Sequence, residues 1–246
     1  YRQTEWQLSR RRENRARMLA AGLLDGTSRI ADLPEAAQAL DLPEQGRYVV
    51  VAVTGVNPAR SAAARAALVP DGTRVHWHTG AEVDYGIVLL GAGDDELPVP
   101  GDTVPGLRVG VGSPVEGLAA VGEARGLADT ALGICPEAGG TVRLADHLPA
   151  ALVVAGPDLG RALADRVLGP LLRLEPADRD VLLDTLTTWL DCDGSAQRAG
   201  ERLYCHRNTV LNRLRRCEQL TGRSLARPAD LVEITLSLTA HRVLPA

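Results

Sequence analysis

A chain of 246 residues with 45% hydrophobic side chains can build one large domain or two ordinary ones. No stretch reaches the roughly eighteen apolar residues that a bilayer crossing needs, and no secretory leader is visible. The formal net charge of −4, carried with 27 arginines and no lysine, at first sight argues against a nucleic-acid partner.

The four cysteines, Cys135, Cys192, Cys205 and Cys217, form no C-x-x-C pair. Their spacing supports neither a disulfide framework nor a zinc site, so they read as small core residues in a reducing, cytoplasmic setting. The chain starts at Tyr1 without a methionine. We expect it to be a fragment, with room upstream for a sensor region.

Thr4 to Leu24 reads as a helix, with Arg10, Arg11, Arg12, Arg15 and Arg17 as a solvated face, ended by Asp25-Gly26. A short helix follows at Pro34 to Leu40, then a turn at Pro43 to Gly46. Arg47 to Thr54 is uninterruptedly apolar from Tyr48 to Val53 and reads as a buried strand. Ala59 to Val69 is an alanine-rich helix, and Asp71-Gly72 is a turn. Thr73 to His78 and Val83 to Leu90 form a hairpin, and Gly91 to Pro105 is a loop. Leu107 to Val111 is a strand, Glu116 to Ile134 a helix, and Thr141 to Leu144 a last strand. Strands mixed with helices imply an α+β sheet covered by helices on one face.

After Pro149 only helices are predicted: Asp158 to Leu168, Pro176 to Leu190, Ser195 to Leu203, Arg207 to Leu220 and Ala229 to Val243. The expected organisation is an N-terminal helical linker over 1–46, an α+β domain over 47–150 and an all-α domain over 151–246.

Charge is concentrated at 195–227. Eight arginines there face only Glu201 and Glu218, giving +6 and leaving −10 for the rest. A basic head on an acidic body suits a nucleic-acid partner. Ser195 can cap the first of two short helices, and Ala199 lets the second cross closely. Tyr204-Cys205-His206 is a three-residue turn, so 195–222 has the helix-turn-helix layout.

On a helical wheel, Val210, Leu211, Leu214 and Cys217 share the inner arc of Arg207 to Leu220. Asn208, Asn212, Arg215, Arg216 and Gln219 share the outer arc, with Thr209 at its margin. Amides read adenine edges and guanidiniums read guanine or hold phosphate. Residues near the start of the second helix normally face the bases, so Arg207, Asn208, Thr209 and Asn212 are the candidate base contacts. Arg198, Arg202, Arg215, Arg216 and Arg223 are the candidate phosphate contacts.

The run His206-Arg207-Asn208-Thr209-Val210, then Asn212-Arg213-Leu214-Arg215-Arg216 and Glu218-Gln219-Leu220-Thr221-Gly222, resembles the C-terminal helix-turn-helix of PucR/CdaR-type bacterial regulators. Leu183 to Leu186 before it, and Leu225, Asp230, Leu231 and Leu236 to Leu238 after it, fit the same pattern. Two residues depart from it: Tyr204 stands where a turn glycine is frequent, and Leu211 where an arginine is common. Upstream, Val109 to Val115 and the helix to Ile134 are similar to the last half of that family's GGDEF-like domain. The resemblance implies a degenerate, ferredoxin-like cyclase domain ahead of the DNA-binding one.

Nucleotide cyclases need carboxylates at the first strand's end and in the hairpin to hold Mg²⁺. The strand here ends Thr54-Gly55-Val56-Asn57, and the hairpin Gly80 to Gly86 lacks the glycine-glycine-acid signature. We therefore expect no enzyme activity, no catalytic residues and no cofactor. Gly110-x-Gly112 lacks the third glycine of a dinucleotide loop, and Asp94-Asp95-Glu96 reads as a solvated loop. His76 and His78 share one face of a strand but have no third metal ligand in view.

The expected function is sequence-specific binding of double-stranded DNA by a homodimeric transcription regulator. A single helix-turn-helix reads few base pairs, which is why two copies are expected. A small-molecule effector is a further expected partner, and a membrane is not. The alternative is a nucleotide- or small-molecule-binding signalling protein, or a residual cyclase, whose helical domain binds a protein.

Overall fold

The computed structural model describes residues 2–55, 65–70, 72–91, 93–94, 96–98 and 106–244. They fall into two compact units, Tyr1–Ala151 and Leu152–Ala246.

In the first unit α1 (Arg2–Leu24) and α2 (Leu33–Leu40) precede the sheet. The strands are β1 (Arg47–Thr54), β2 (Val75–Thr79), β3 (Asp84–Leu89), β4 (Arg108–Val111), the two-residue β5 (Val115–Glu116) and β6 (Gly140–Arg143). Helix α3 (Val121–Ile134) lies between β5 and β6, and α4 (Leu148–Ala155) spans the sequence boundary between the units.

The sheet order is β2-β3-β1-β4-β6, with β5 also pairing β1. β1 is antiparallel to β3 and β4, and β2 is antiparallel to β3. Hence β1 and β2 run the same way with β3 between them, a split βαβ arrangement. β4 and β6 are parallel and joined through α3, because parallel neighbours need a crossover.

β1 is central and buried on both faces, as its unbroken apolar run requires. Side chains alternate across a strand. Tyr48, Val50 and Ala52 therefore enter one core with Leu23 of α1, Leu40 of α2 and Ala128 of α3. Val49, Val51 and Val53 enter a second core with Leu68, Val88, Leu97 and Val109. The expectation of cover on one face is thus corrected: residues 65–68, which are helical, bring Leu68 onto the other face, where Leu97 also packs. Most of the predicted helix Ala59 to Val69 and most of the loop Gly91 to Pro105 lie outside the described residues.

The helix predicted from Glu116 begins instead at Val121. Val115 and Glu116 pair with Tyr48 and Arg47, and Gly117 turns the chain at φ 79°, donating its N–H to the Gly46 carbonyl at 2.7 Å. A backbone already committed to a neighbouring strand cannot start a helix.

Gly110 and Gly112 hold no phosphate loop. A Cβ on Gly110 would lie 2.4 Å from both the Ala128 carbonyl and the Leu132 nitrogen. On Gly112 it would lie 2.9 Å from the Ala124 carbonyl. The glycines let α3 press onto β4, opposite Ala124, Ala128 and Ala131, which are fully buried.

The second unit contains α5 (Pro157–Leu172), α6 (Pro176–Asp191), α7 (Ala196–Arg202), α8 (Arg207–Thr221) and α9 (Pro228–Val243). One core joins all five through Leu168 and Leu171, Leu182 and Leu186, Ala199, Val210 and Leu214, and Ile234. α9 braces the domain: Ser237, fully buried, donates to the Glu233 carbonyl at 2.7 Å and the Leu163 carbonyl at 3.3 Å.

A methyl at Gly110 must displace backbone, and overpacking of this kind costs about 1–3 kcal/mol or more. Gly110→Ala is expected to lower the unfolding temperature of the sheet unit by several degrees in calorimetry. An unchanged transition would show that α3 sits farther from β4.

Candidate nucleic-acid interface

The helical pair is assembled by its connections. After α6, Asp193 and Gly194 take φ values of 52° and 74°, reversing the chain. Ser195 then caps α7, its side chain accepting from the Arg198 N–H at 3.3 Å. Arg198 Nη2 donates to the Cys192 carbonyl at 2.6 Å and Asp193 Oδ2 at 2.9 Å, locking the same turn.

α7 ends in a Schellman motif. The Cys205 N–H donates to the Gly200 carbonyl at 2.9 Å and the Tyr204 N–H to the Glu201 carbonyl at 3.4 Å. Tyr204 occupies the left-handed position at φ 50°, where glycine is usual, with its side chain 97% exposed. His206 caps α8, Nδ1 accepting from the Asn208 N–H at 3.2 Å. That bond requires an unprotonated Nδ1.

Gly200 is the residue that sequence reasoning missed. A Cβ there would stand 2.7 Å from the Cys205 carbonyl and 3.4 Å from the Arg207 nitrogen. Ala199, fully buried, helps as expected. Gly200 is what allows the turn to fold back on α7. A glycine inside a short predicted helix was the available signal, since it marks close approach.

Along α8, Val210, Leu214 and Cys217 face the core. Burial pushes the Cys217 thiol up to about 11, so it packs as a neutral group. Leu211 does not join them: it is 37% exposed, which corrects its inner-arc placement. It lies about 100° from Val210, just past the buried arc. Arg213, on the opposite flank, is half-buried and donates to Thr185 Oγ1 at 3.3 Å.

Of the candidate base contacts, Arg207, Asn208 and Asn212 are exposed on α8, and Thr209 is half-buried. The candidate phosphate contacts are not equivalent. Arg202 on α7 and Arg215 on α8 are exposed, Arg215 donating to Asn212 Oδ1 at 2.9 Å. Arg198 pairs with Asp193 at 2.9 Å and Arg216 with Asp178 of α6 at 3.2 Å. Both pairs are exposed, so opening the Arg216 pair costs about 0–1 kcal/mol, whereas Arg198 would also give up its bond to the Cys192 carbonyl. Arg223 is more committed, its side chain 24% exposed and paired with Glu233 of α9 at 2.7 Å.

The acidic residues nearby serve the fold. Glu218 Oε1 accepts from the Leu225 N–H at 2.8 Å, and Asp230 Oδ2 from the Ser224 N–H at 2.9 Å. They hold the loop after Gly222, which ends α8 at φ 66°.

In the sheet unit, Thr54 Oγ1 at the end of β1 donates to the Glu82 carbonyl of the hairpin turn at 2.9 Å. Asp84 pairs with Arg65, whose guanidinium stacks 5.5 Å from the Trp77 ring centre. His76 and His78 are both held below the usual imidazole range, chiefly by burial. Among the described residues, no group of three or more His, Cys, Asp or Glu converges as a metal site. Among the same residues, no helix is long and apolar enough to cross a membrane. Cys135, Cys192 and Cys217 are buried and Cys205 is half-buried, all as free thiols.

This paired-helix geometry coincides with a known domain. Residues 182–240 match the model of the PucR C-terminal helix-turn-helix domain. The C-terminal unit thus carries a helix-turn-helix of the PucR C-terminal type. The purine catabolism regulatory protein of Bacillus subtilis is 40% identical over 63 residues, covering 26% of this chain and 12% of that protein. Uncharacterized proteins of Mycobacterium bovis and Mycobacterium tuberculosis are 32% identical over 93 residues, 38% of this chain and 20% of theirs. The matches thus span a fifth or less of these relatives' length. A solved regulator of polyketide synthase expression from Bifidobacterium adolescentis aligns over 92% of this chain and 97% of its own, with 20% identity and a TM-score of 0.40.

Two substitutions test the PucR-type turn. Gly200→Ala gains about 1 kcal/mol of helix propensity but meets a backbone carbonyl, so it is expected to destabilise the helical unit and weaken duplex binding. Tyr204→Gly removes a left-handed penalty of about 1–2 kcal/mol against an entropic cost of about 0.5–1 kcal/mol. Its unfolding temperature is expected to rise by a few degrees, and a fall would refute the strained turn.

Proposed function

We propose that this chain binds double-stranded DNA sequence-specifically and regulates transcription, with α8 lying in the major groove. The observation that carries the reading is the exposed row Arg207, Asn208, Asn212 and Arg215 on a helix whose opposite face is core. Amides and guanidiniums at that spacing match adenine and guanine edges. Thr209, at the edge of the row, contributes to the same contacts. Arg202 and Arg215 hold phosphates directly, Arg216 joins when its exposed pair with Asp178 opens, and Arg198 contacts phosphate with the donors left free by the Cys192 carbonyl. Arg223 acts chiefly as a brace to α9.

One helix-turn-helix buries a modest surface, so tight binding calls for two copies on a two-fold site. We infer a homodimer on that ground, acting in the cytoplasm. The purine catabolism relative is a regulator by name, which favours the same role here.

We read the sheet unit as a sensing or assembly module without catalysis, a degenerate cyclase-like fold. The end of β1 presents a threonine hydroxyl to the hairpin where a cyclase needs a carboxylate, and Asp84 is held by Arg65. An open cleft of about 360 Å³ between α1, the hairpin turn and α3 is the place for an effector. Asp25, His78, Glu82, Tyr85 and Arg125 line it, and Arg125 stacks 4.8 Å from the Tyr85 ring centre.

Salt titration of duplex binding tests the reading. Each phosphate contact contributes about −0.9 to the slope of log K against log salt. Arg202→Ala is expected to flatten the slope by about one unit and weaken all duplexes alike. Asn208→Ala is expected to lose sequence preference with the slope unchanged. A wild-type chain with no salt-dependent affinity for any duplex would overturn the proposal.

A further inference from the structure

Leu211 is the one apolar side chain bordering the outward row of α8. It is 37% exposed, just past the arc of Val210, Leu214 and Cys217 that faces the core. An exposed leucine is ordinary by itself. Its neighbours make this one informative. Residues three and four apart share a helix face, so Arg207, Asn208 and Arg215 surround it, and Asn212 follows directly. All four are exposed polar groups suited to base edges or phosphates. An apolar group in that row cannot accept or donate a hydrogen bond. On a duplex it would bury amide or phosphate groups unpaired unless it met an apolar surface. The major groove offers one such surface, the C5 methyl of thymine.

We propose that Leu211 is a specificity-determining residue that packs on a thymine methyl in the major groove. This rests on α8 being the recognition helix. It adds apolar readout to a face otherwise able to read only hydrogen-bonding edges.

The test uses the full chain and duplexes enriched from a random pool. Each thymine in the enriched site is replaced in turn by deoxyuridine, which removes the methyl and leaves base pairing intact. At one position the replacement should weaken wild-type binding about fourfold, the loss expected for one buried methyl-sized group. Leu211→Ala should abolish that sensitivity, binding the thymine and deoxyuridine duplexes equally. Leu211→Met, which keeps an apolar tip, should retain it. Because the side chain is part-exposed at the edge of the core, both variants should stay folded, with Leu211→Met unfolding near the wild-type temperature. If every replacement is tolerated, or if Leu211→Ala keeps the sensitivity, the proposal fails while recognition by α8 stands. If no sequence is enriched, both fail together.

Discussion

The close approach of the α7 end to the turn before α8 governs the C-terminal unit. Gly200 has no side chain because the Cys205 carbonyl stands where a Cβ would push, 2.7 Å away. The same two residues are tied by the hydrogen bond from the Cys205 N–H to the Gly200 carbonyl. That contact fixes the angle at which α8 leaves the turn. It then decides which residues of α8 reach the core and which face solvent. Tyr204 is carried in a left-handed conformation to complete it. Strain of this kind persists only where surrounding contacts over-determine the backbone. Here Ala199, Val210 and Leu214 supply them from one core.

The electrostatics follow from the same packing. In a chain of net charge −4, eight arginines stand against two acids over 195–227, and acids around α8 serve the fold. Glu218 and Asp230 satisfy backbone N–H groups of the loop after α8. Asp178 holds Arg216 loosely at the surface, while Asp193 and the Cys192 carbonyl share Arg198. The Arg216 pair is weak enough for phosphate to displace it. Arg223 and Glu233, less exposed, tie the loop after α8 to α9.

Much of the fold was legible because its signals are local. The unbroken apolar run from Tyr48 to Val53 marked a buried strand, and it is the sheet's centre, although the cover on its second face was not foreseen. Proline, aspartate and glycine punctuation placed the helices from α5 to α9 within a few residues, but α4, at Leu148–Ala155, was not foreseen. Non-local facts were not legible. Val115 and Glu116 look helical until β1 claims their backbone. Gly110 and Gly112 look like a truncated phosphate loop until α3 is seen against them. On α8 the wheel located both faces but misjudged their border. The wheel put Leu211 on the inner arc, but at about 100° from Val210 it falls just outside and is 37% exposed. The fates of Arg213 and Arg223 depended on Thr185 and Glu233, partners that no spacing rule reveals.

The central claim is that the outward face of α8 lies in the major groove of a duplex. An amide NMR titration of the chain with a duplex enriched from a random pool tests it most directly. The account predicts perturbations concentrated from Arg202 through Arg216, with the amides of β1 to β3 little changed. Perturbations confined to the sheet unit, or none at saturating duplex, would contradict it.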